Sequence, residues 1–252
     1  MRTLLNVLFA IIIIALSGCD NDKIKGNHDV KQETRKMVSF ENVINKGSFN
    51  VYISNALVYE VVVEAESNII PYIRTTVNGN SLIIDSKESI SANYPINIYV
   101  KSPLVKSVEM EGSGLIQFDT LTSSDFEADI DGSGDISGKI IAKNVDISID
   151  GSGNISIETN CKEMETEING SGNINLVGSA EKCEHEIDGS GNINSLEFVV
   201  KNCEADISGS GNMNLNVTEQ LDVNISGSGS VYYTGTAQVN VIITGSGSVI
   251  KL

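Results

Sequence analysis

Carboxylates recur beside a repeated Gly-Ser-Gly triplet, and they are the first candidates for chemistry. The residue directly before each triplet is Glu111, Asp131, Asp150, Asn169, Asp188, Ser208, Ser226 or Thr244. Carboxylates on adjacent strands could act as the acid and base of glycoside hydrolysis, or could bind cations weakly. A catalytic site differs from its surroundings, whereas this column is similar in every repeat. We therefore predict no catalytic residue, and expect these side chains to accept hydrogen bonds from the triplet's backbone N–H groups, as in Asx turns.

The position directly after each triplet is the second candidate site. It is occupied by Asp135, Asn154, Asn173, Asn192, Asn212, Ser230 and Ser248 in the last seven copies. Calcium-binding β-rolls need a carboxylate after the glycines, and one copy alone has it here. Phosphate-binding glycine loops occur once and precede a helix, whereas these triplets recur between strand-like segments. We expect no metal and no cofactor at the corners, and interpret the Asn column as a ladder of amides bonded between turns.

The cysteine and histidine residues show no spacing that is typical of a metal site. Besides Cys19, the thiols are Cys161, Cys183 and Cys203, without the CxxC or Cys/His spacing of a zinc site. Cys183 and Cys203 both lie six residues before a triplet, so they are expected to be neighbours in an interior column. They are either free buried thiols or a disulfide between adjacent turns. His185 falls in the next inward column and is interpreted as a core residue.

The spacing of the triplets predicts the elements that position these side chains. Gly-Ser-Gly begins at residues 112, 132, 151, 170, 189, 209, 227 and 245, and such a period is typical of a solenoid. Large apolar residues recur two positions before and after each triplet. In "VDISIDGSG" the alternation places Val145, Ile147 and Ile149 inward and the intervening residues outward. Each triplet is therefore a corner between two strands, where glycine supplies backbone angles that other residues avoid.

The sequence thus predicts an all-β, single-stranded β-helix, right-handed, with about 18–20 residues per turn. The regular Gly-Ser-Gly region covers 112–252 and should form a rod roughly 34 Å long, given strand spacings of about 4.8 Å. Residues 38–111 are expected to form a less regular N-terminal β region, which includes a hairpin turn at Asn78-Gly79. The chain ends at "GSGSVIKL" without a cap, so self-association through the C-terminal turn is expected.

The N-terminus resembles a bacterial lipoprotein signal. Arg2 precedes a largely apolar run of 13 residues from Leu4 to Leu16, and "LSGC" ends at Cys19. This run is shorter than the roughly 20 residues that span a bilayer. We expect residues 1–18 to be a signal peptide, Cys19 to carry the lipid, and residues 19–37 to be a polar, flexible tether.

Composition narrows the range of partners. The chain has 33 Asp and Glu against 17 Lys and Arg, with a formal net charge of −16. Nucleic-acid binding requires a basic surface, so a nucleic-acid partner is excluded. No zinc site, catalytic triad or other cofactor site is predicted.

The copies "GSGNIN" at Gly170–Asn175 and Gly189–Asn194, preceded by "VVVEAESNIIPYIRTTVNGNSLIID" and "INIYVKSPLVKSVEMEGSG", resemble the head GIN domain family. The family is named for the heads of auto-transporter adhesins, and the resemblance extends from about residue 38 to the C-terminus. It implies a single-stranded β-helix in a lipoprotein or secreted protein of a Gram-negative bacterium, without a known activity. The family has no catalytic residues to transfer.

Together these features predict a non-enzymatic cell-envelope lipoprotein, adhesin-like, which presents a polar ladder surface to a glycan or protein. A lipid on Cys19 would hold it in the outer membrane, on the cell-surface or periplasmic face. The alternative is a polysaccharide-binding or polysaccharide-active β-helix. That alternative needs a local break in the ladder with a basic or aromatic group over the acids. Tyr232 and Tyr233 come closest, although alternation turns one of them inward.

Overall fold

A computed structural model describes residues 23–252, and strands form nearly all of its regular structure. Within that range the helical content is one 3₁₀ turn, Ile70–Tyr72. Parallel strands stack turn on turn into a β-solenoid of about eight turns, with a less regular sheet region at the N-terminal end. Apolar side chains from Phe40 to Val231 form one core cluster along the stack. The predicted all-β solenoid is confirmed.

Thirteen strands form the repeat region, and each pairs with the equivalent segment one turn away. They are β10 (Ser107–Met110), β11 (Leu115–Thr122), β12 (Asp125–Gly132), β13 (Asp135–Ile141), β14 (Asn144–Gly151), β15 (Asn154–Asn160), β16 (Glu163–Gly170), β17 (Asn173–Gly189), β18 (Asn192–Gly209), β19 (Asn212–Gly227), β20 (Ser230–Gly235), β21 (Gln238–Gly245) and β22 (Ser248–Lys251). The long strands β17, β18 and β19 run through both segments of a turn. Parallel pairings β12–β14 and β14–β16 illustrate the repeated register.

The register places like residues on like residues, as the period predicts. Ile130 pairs with Ile149, which pairs with Ile168 in the next turn. The same column continues through Ile187 and Ile207, and all five side chains are buried. Because alternate residues of a strand point to opposite faces, the intervening polar residues are directed outward.

Nine strands form the N-terminal region. They are β1 (Ile24–Lys25), β2 (Val30–Lys36), β3 (Asn42–Asn45), β4 (Asn50–Asn55), β5 (Glu60–Glu66), β6 (Ile73–Asn78), β7 (Ser81–Ser86), β8 (Ile90–Ser91) and β9 (Asn97–Ser102). The predicted hairpin is confirmed, because β6 and β7 pair antiparallel, but its turn lies one residue further on, at Gly79 and Asn80, between the register partners Asn78 and Ser81.

The N-terminal strands extend the solenoid downward, but out of sequence order. β3 pairs in parallel with both β10 and β7, and β4 pairs in parallel with both β11 and β9. The stack therefore continues for two further rungs below the first Gly-Ser-Gly corner. Antiparallel strands cover the lowest rung, because β6 pairs with β7, and β5 pairs with β9 and then with β2. This end of the solenoid is capped.

The predicted tether over residues 19–37 is wrong for residues 30–36, which form β2. Seven register pairs join β2 to β5, from Val30 with Glu66 to Lys36 with Glu60. The segment before β2 is fixed by the buried carboxylate of Glu66, which accepts hydrogen bonds from the His28 amide at 2.6 Å and the Asn93 amide at 2.7 Å. Backbone pairing and one buried acceptor order this segment, although it has almost no apolar side chain to bury.

The C-terminal end is open. β21 and β22 pair with the turn below them through β19 and β20, and among residues 23–252 no further strand pairs with their other edges. Several apolar side chains of this turn are exposed, with relative exposures of 68% for Ile242, 44% for Val241 and 63% for Leu252. The two ends of the solenoid therefore differ, since antiparallel strands cover one and the other presents a parallel strand edge.

Candidate functional site

A sheet face of stacked carboxylates runs along the surface of the solenoid. It is built from β10, β12, β14 and β16 and from the second segments of β17, β18 and β19, whose alternation turns one residue in two outward. We define the acidic face as two columns of outward side chains. The first is Glu127, Asp146, Glu165, Glu184, Glu204 and Asp222, and the second is Glu109, Asp129, Glu167, Glu186 and Asp206.

In the first column successive carboxylates are register partners, so they stack at the strand spacing of about 4.8 Å, whereas in the second column Ser148 separates Asp129 from Glu167. Asp146 pairs with Glu165, which pairs with Glu184, which pairs with Glu204. Like charges opposite one another in a sheet repel. Elsewhere in the two columns, partners relieve the repulsion, as where Asn224 donates to Asp206 at 2.7 Å and Asn240 donates to Asp222 at 2.7 Å.

The crowding shifts the acid–base equilibria of the acidic face. Loss of hydration, followed by repulsion from Glu165, Asp129 and Glu127, raises the pKa of Asp146 to about 6. Loss of hydration also raises the pKa of Asp129, and a hydrogen bond from Ser148 partly opposes this effect. The pKa of Glu186 is raised for the same two reasons, burial first and neighbouring carboxylates second. The face thus stores unfavourable charge repulsion that a bound cation would relieve.

Part of the acidic face borders a groove with a volume of about 610 Å³. The groove runs along the starts of β12, β14 and β16, where Glu127, Asp146 and Glu165 meet the outer edges of Phe126 and Val145. The lysines beside it have acidic partners, since Lys106 lies 2.8 Å from Glu41 and Lys182 lies 4.0 Å from Glu184.

An amide ladder follows the opposite side of the corners, as predicted. Asn173 Nδ2 donates to Asn154 Oδ1 at 2.9 Å, and Asn192 Nδ2 donates to Asn173 Oδ1 at 3.0 Å. The ladder begins at Asp135 and continues to Asn212. A second ladder, two residues further on, joins Asn175, Asn194 and Asn214. The predicted interturn amide bonding is confirmed.

The column directly before the corners differs from the prediction. The corner amides donate to carbonyl groups of the preceding turn, as where Ser152 N donates to Gly132 O at 2.9 Å and Ser171 N donates to Gly151 O at 2.8 Å. These N–H groups are therefore already used, and the expected bonds to Asp131 and Asp150 are wrong. The glycines themselves form the backbone ladder that holds the corners together.

A second cluster lies inside the solenoid. Cys183 and Cys203 are register partners in adjacent turns, and His185 is two residues after Cys183 on the same inward face. The two sulfur atoms and a ring nitrogen of His185 all lie within 4.8 Å of one another. All three side chains are buried, and Thr166 Oγ1 lies 2.7 Å from His185 Nδ1. The predicted interior positions are confirmed, and both thiols are free.

The surroundings shift the pKa values of the two thiols in opposite directions. Burial opposes ionisation of Cys183, but the hydrogen bond with Cys203 and the proximity of His185 outweigh it and lower the pKa of Cys183. Burial, and then the neighbouring Cys183, raise the pKa of Cys203 well above its usual value. Cys183 is therefore the more acidic thiol of the pair.

Sequence comparison identifies the family. The family described as "Putative auto-transporter adhesin, head GIN domain" matches residues 39–173 and 137–237, which together cover most of the chain. The chain belongs to this family. None of the curated proteins matches the sequence.

Solved structures of similar fold support the architecture of this head GIN domain. A putative lipid binding protein from Parabacteroides distasonis has 24% identity and a TM-score of 0.87, with 91% of this chain and 99% of that chain covered. A putative adhesin from Parabacteroides merdae has 22% identity and a TM-score of 0.86, with 92% and 100% covered. A putative adhesin from Parabacteroides distasonis has 20% identity and a TM-score of 0.88, with the same coverage. At these identities the likeness concerns the fold.

The remaining candidate residues from the sequence are the two tyrosines and Cys19, and the tyrosines do not lie on the acidic face or in the cysteine cluster. Tyr233 packs against the core in the column of Leu215, whereas Tyr232 follows the outward Asn214, so the predicted alternation of the tyrosines is confirmed. Both lie in the strand after the corner, away from the acidic face. Cys19 and the predicted signal peptide, residues 1–18, lie outside the described residues. Across residues 23–252, no helix has the length and apolar character needed to cross a membrane.

The sequence pattern predicted the interior positions of Cys183, Cys203 and His185 correctly, but the cluster that these three residues form was not predicted. The signal was available, because a residue six before one triplet and a residue four before it point the same way on one strand. Register then brings Cys203 from the next turn beside Cys183 and His185. A search for CxxC spacing misses such a cluster, since its members are 2 and 20 residues apart.

Proposed function

We propose that this head GIN domain protein is a non-enzymatic, adhesin-like binding module of the cell envelope, and that its acidic face contacts a cationic surface on a protein partner. The observation that supports this most is the continuity of the face. The column through Asp146, Glu165 and Glu184 repeats without interruption from turn to turn. A long, uniform face suits an extended contact, whereas catalysis needs one cluster that differs from its neighbours.

Electrostatics favours a cationic partner. Burial, and then repulsion within the columns, raise the pKa values of Asp146 and Glu186, so the free protein has an unfavourable interaction that a neighbouring cation would reduce. The formal net charge of −16 adds a long-range field that accelerates the approach of a positively charged partner. The family's adhesin description is consistent with such a contact.

A polysaccharide partner is less well supported. Sugar recognition beside carboxylates would use an aromatic ring over the acids, but the tyrosine pair Tyr232–Tyr233 follows the corner and belongs to the other segment of its turn. The lysines beside the groove are already close to acidic side chains. The first column offers a carboxylate in every turn from Glu127 to Asp222, without the local break that a hydrolytic site requires.

The proposal includes the lipid anchor. Residues 1–18 would be removed as a signal peptide, and Cys19 would carry the lipid that holds the protein in the outer membrane. Ile24 begins β1, five residues after Cys19, so the connecting chain reaches at most about 18 Å. The capped end would therefore lie near the membrane. The acidic face would extend away from the bilayer, toward the open C-terminal end.

The open end is proposed to pair with the open end of a second copy. β21 and β22 each present an unpaired strand edge, beside the exposed Ile242, Val241 and Leu252. Such edges invite pairing, and the other end of this solenoid is covered by antiparallel strands. End-to-end association would bury both the apolar side chains and the backbone groups.

The test uses decalysine as a cationic probe. Titration of the protein with fluorescent decalysine is expected to show binding that the triple variant Asp146→Asn, Glu165→Gln, Glu184→Gln weakens about tenfold, from roughly 0.5 kcal/mol for each lost charge. The matched control neutralises three exposed acids off the face, Asp119→Asn, Glu197→Gln and Glu219→Gln, and has the same net charge. Equal affinity of the two triple variants, or binding on a glycan array without decalysine binding, would contradict the proposal.

A further inference from the structure

The interior column that contains Cys183 changes its chemistry over three successive turns. Met164 pairs in register with Cys183, and Cys183 pairs with Cys203, so three sulfur-bearing side chains are stacked in the core. All three are buried. In other turns the same position holds Phe126, Val145, Leu221 or Val239. The cluster is therefore confined to one place in an otherwise apolar column.

We propose that Cys183, Cys203 and His185 form a binding site for a monovalent copper ion, with the thioether of Met164 as a weak additional ligand. Thiolate and thioether sulfur are soft ligands that select Cu(I), and imidazole also suits copper. The site would bind one ion between two turns of the solenoid. Binding forms a copper–sulfur bond at each of the two cysteines and releases the proton of each thiol to solvent, without any change in oxidation state.

The distances fit one shared ion. With metal–sulfur bonds of about 2.3 Å, two sulfur atoms on one ion can be up to about 4.6 Å apart. The ligand atoms of Cys183, Cys203 and His185 lie within 4.8 Å of one another, so small side-chain rotations bring them into range. The backbone register already holds the two cysteines opposite each other and need not move.

The histidine is oriented for this role. Its Nδ1 lies 2.7 Å from Thr166 Oγ1, so that nitrogen already has a partner and Nε2 is the nitrogen left for a metal. Metal-binding histidines usually form such a hydrogen bond through the second ring nitrogen, which fixes the ring and its tautomer. Thr166 is itself buried and occupies the preceding turn of the histidine column. We assign Thr166 a positioning role.

The surroundings favour Cu(I) over zinc. Zinc sites are tetrahedral and take a fourth strong ligand or a water molecule. The inward columns around the cluster instead present Ile168, Ile187 and Ala205, which are apolar and buried. Cu(I) is stable with two or three ligands, so it does not need the oxygen ligand that these side chains do not provide.

The experiment is an anaerobic Cu(I) titration of the full-length protein, with bicinchoninate as the competing chromophoric chelator. We expect one Cu(I) per chain and an X-ray absorption spectrum dominated by sulfur ligands. Cys183→Ala and Cys203→Ala should each weaken binding at least about 100-fold, and Thr166→Val about 10-fold. Cys161→Ala removes the half-buried thiol outside the cluster and should change the affinity less than about threefold, which makes it the matched control.

Cys203→Val is the second variant in case the alanine variants fold poorly, because valine already occupies this column at Val145. Circular dichroism would establish that each variant has folded. Undiminished Cu(I) binding by a folded Cys183→Ala or Cys203→Val variant would overturn the proposal. So would the absence of binding by the wild type, or a Cys183–Cys203 disulfide that persists in protein kept under reductant and excludes copper.

Discussion

The amide of Ser152 donates to the carbonyl oxygen of Gly132 at 2.9 Å, so the corners of adjacent turns are in direct backbone contact. The two glycines of each corner permit this contact for different reasons. Gly151 has φ +134°, and a Cβ there would lie 2.3 Å from Gly132 O. Gly153 is not at positive φ, but its Cβ would lie 2.5 Å from Gly134 O and 2.8 Å from Ile130 Cγ2. Both positions therefore exclude a side chain.

Replacement of either glycine by valine should destabilise the protein. We expect Gly151→Val and Gly153→Val each to lower the free energy of unfolding by at least about 1 kcal/mol, because strain and backbone contact act at these sites. Urea denaturation measures the change. Ser152→Ala, between the two glycines, keeps the backbone bond and should shift the midpoint little. Unchanged midpoints in both valine variants would show that the close corner contact does not exist.

Stability should fall as the pH rises through the acidic range. The folded pKa of Asp146, about 6, exceeds its ordinary value of 3.8, so the native state binds more protons than the unfolded state between these values. The free energy of unfolding then decreases from about pH 4 to about pH 6. Because this carboxylate is partly exposed and screened, the effect should be below about 1 kcal/mol.

Asp146→Asn should therefore stabilise the protein at pH 7 and flatten the pH dependence, as measured by urea denaturation at several pH values. The control is Glu158→Gln, which removes a carboxylate 2.5 Å from Lys139 and should be neutral or destabilising. If Asp146→Asn lowers stability at pH 7, the repulsion assigned to the acidic face is wrong.

The elements that could be predicted from sequence are those with a repeated residue type at a constant period. Isoleucine recurs in the column of Ile149 and asparagine recurs in the column of Asn173, so alignment on the triplet predicts both columns from the sequence alone. Register in a parallel stack follows directly from such a period. The backbone hydrogen bonds at the corners could not be predicted in this way. The bond from Ser152 N to Gly132 O depends on the direction of the backbone, which residue types do not reveal.

The N-terminal region was less predictable for physical reasons. β3 and β7 pair in parallel although they are 39 residues apart and have no Gly-Ser-Gly triplet to mark the turn. The side chains of strand β2 are exposed almost throughout. Because neither face of the strand is buried, its sequence does not alternate between apolar and polar residues. Its order comes from backbone pairing with β5 and from contacts such as Arg35 with the Ile73 carbonyl, at 2.9 Å. Neither interaction leaves a sequence pattern.

One substitution tests the lipid anchor. Cys19→Ser removes the sulfur that would carry the lipid, so we expect loss of radiolabelled palmitate incorporation and release of the protein from the membrane fraction. Cys161→Ser is the matched control and should remain labelled and membrane-bound. Membrane retention of the Cys19→Ser protein would mean that another segment binds the bilayer.

Self-association should depend on the last turn. Val241→Lys places a charge in the inward column of β21, which is exposed at the open end and where a second copy would pack. We expect sedimentation at micromolar concentration to show a dimer or larger assembly for the wild type and a monomer for this variant. Leu57→Lys, at an exposed position in the capped region, should leave the assembly unchanged. A monomeric wild type would exclude the end-to-end pairing.

The central claim is that the acidic face is the contact surface, and the salt dependence of decalysine binding tests it most directly. Between roughly 50 mM and roughly 300 mM NaCl, the association constant of the wild type should fall at least about tenfold, because exposed charges are screened. The slope of log K against log salt should be clearly shallower for Asp146→Asn, Glu165→Gln, Glu184→Gln than for the control Asp119→Asn, Glu197→Gln, Glu219→Gln. Equal slopes for these two variants would contradict the account.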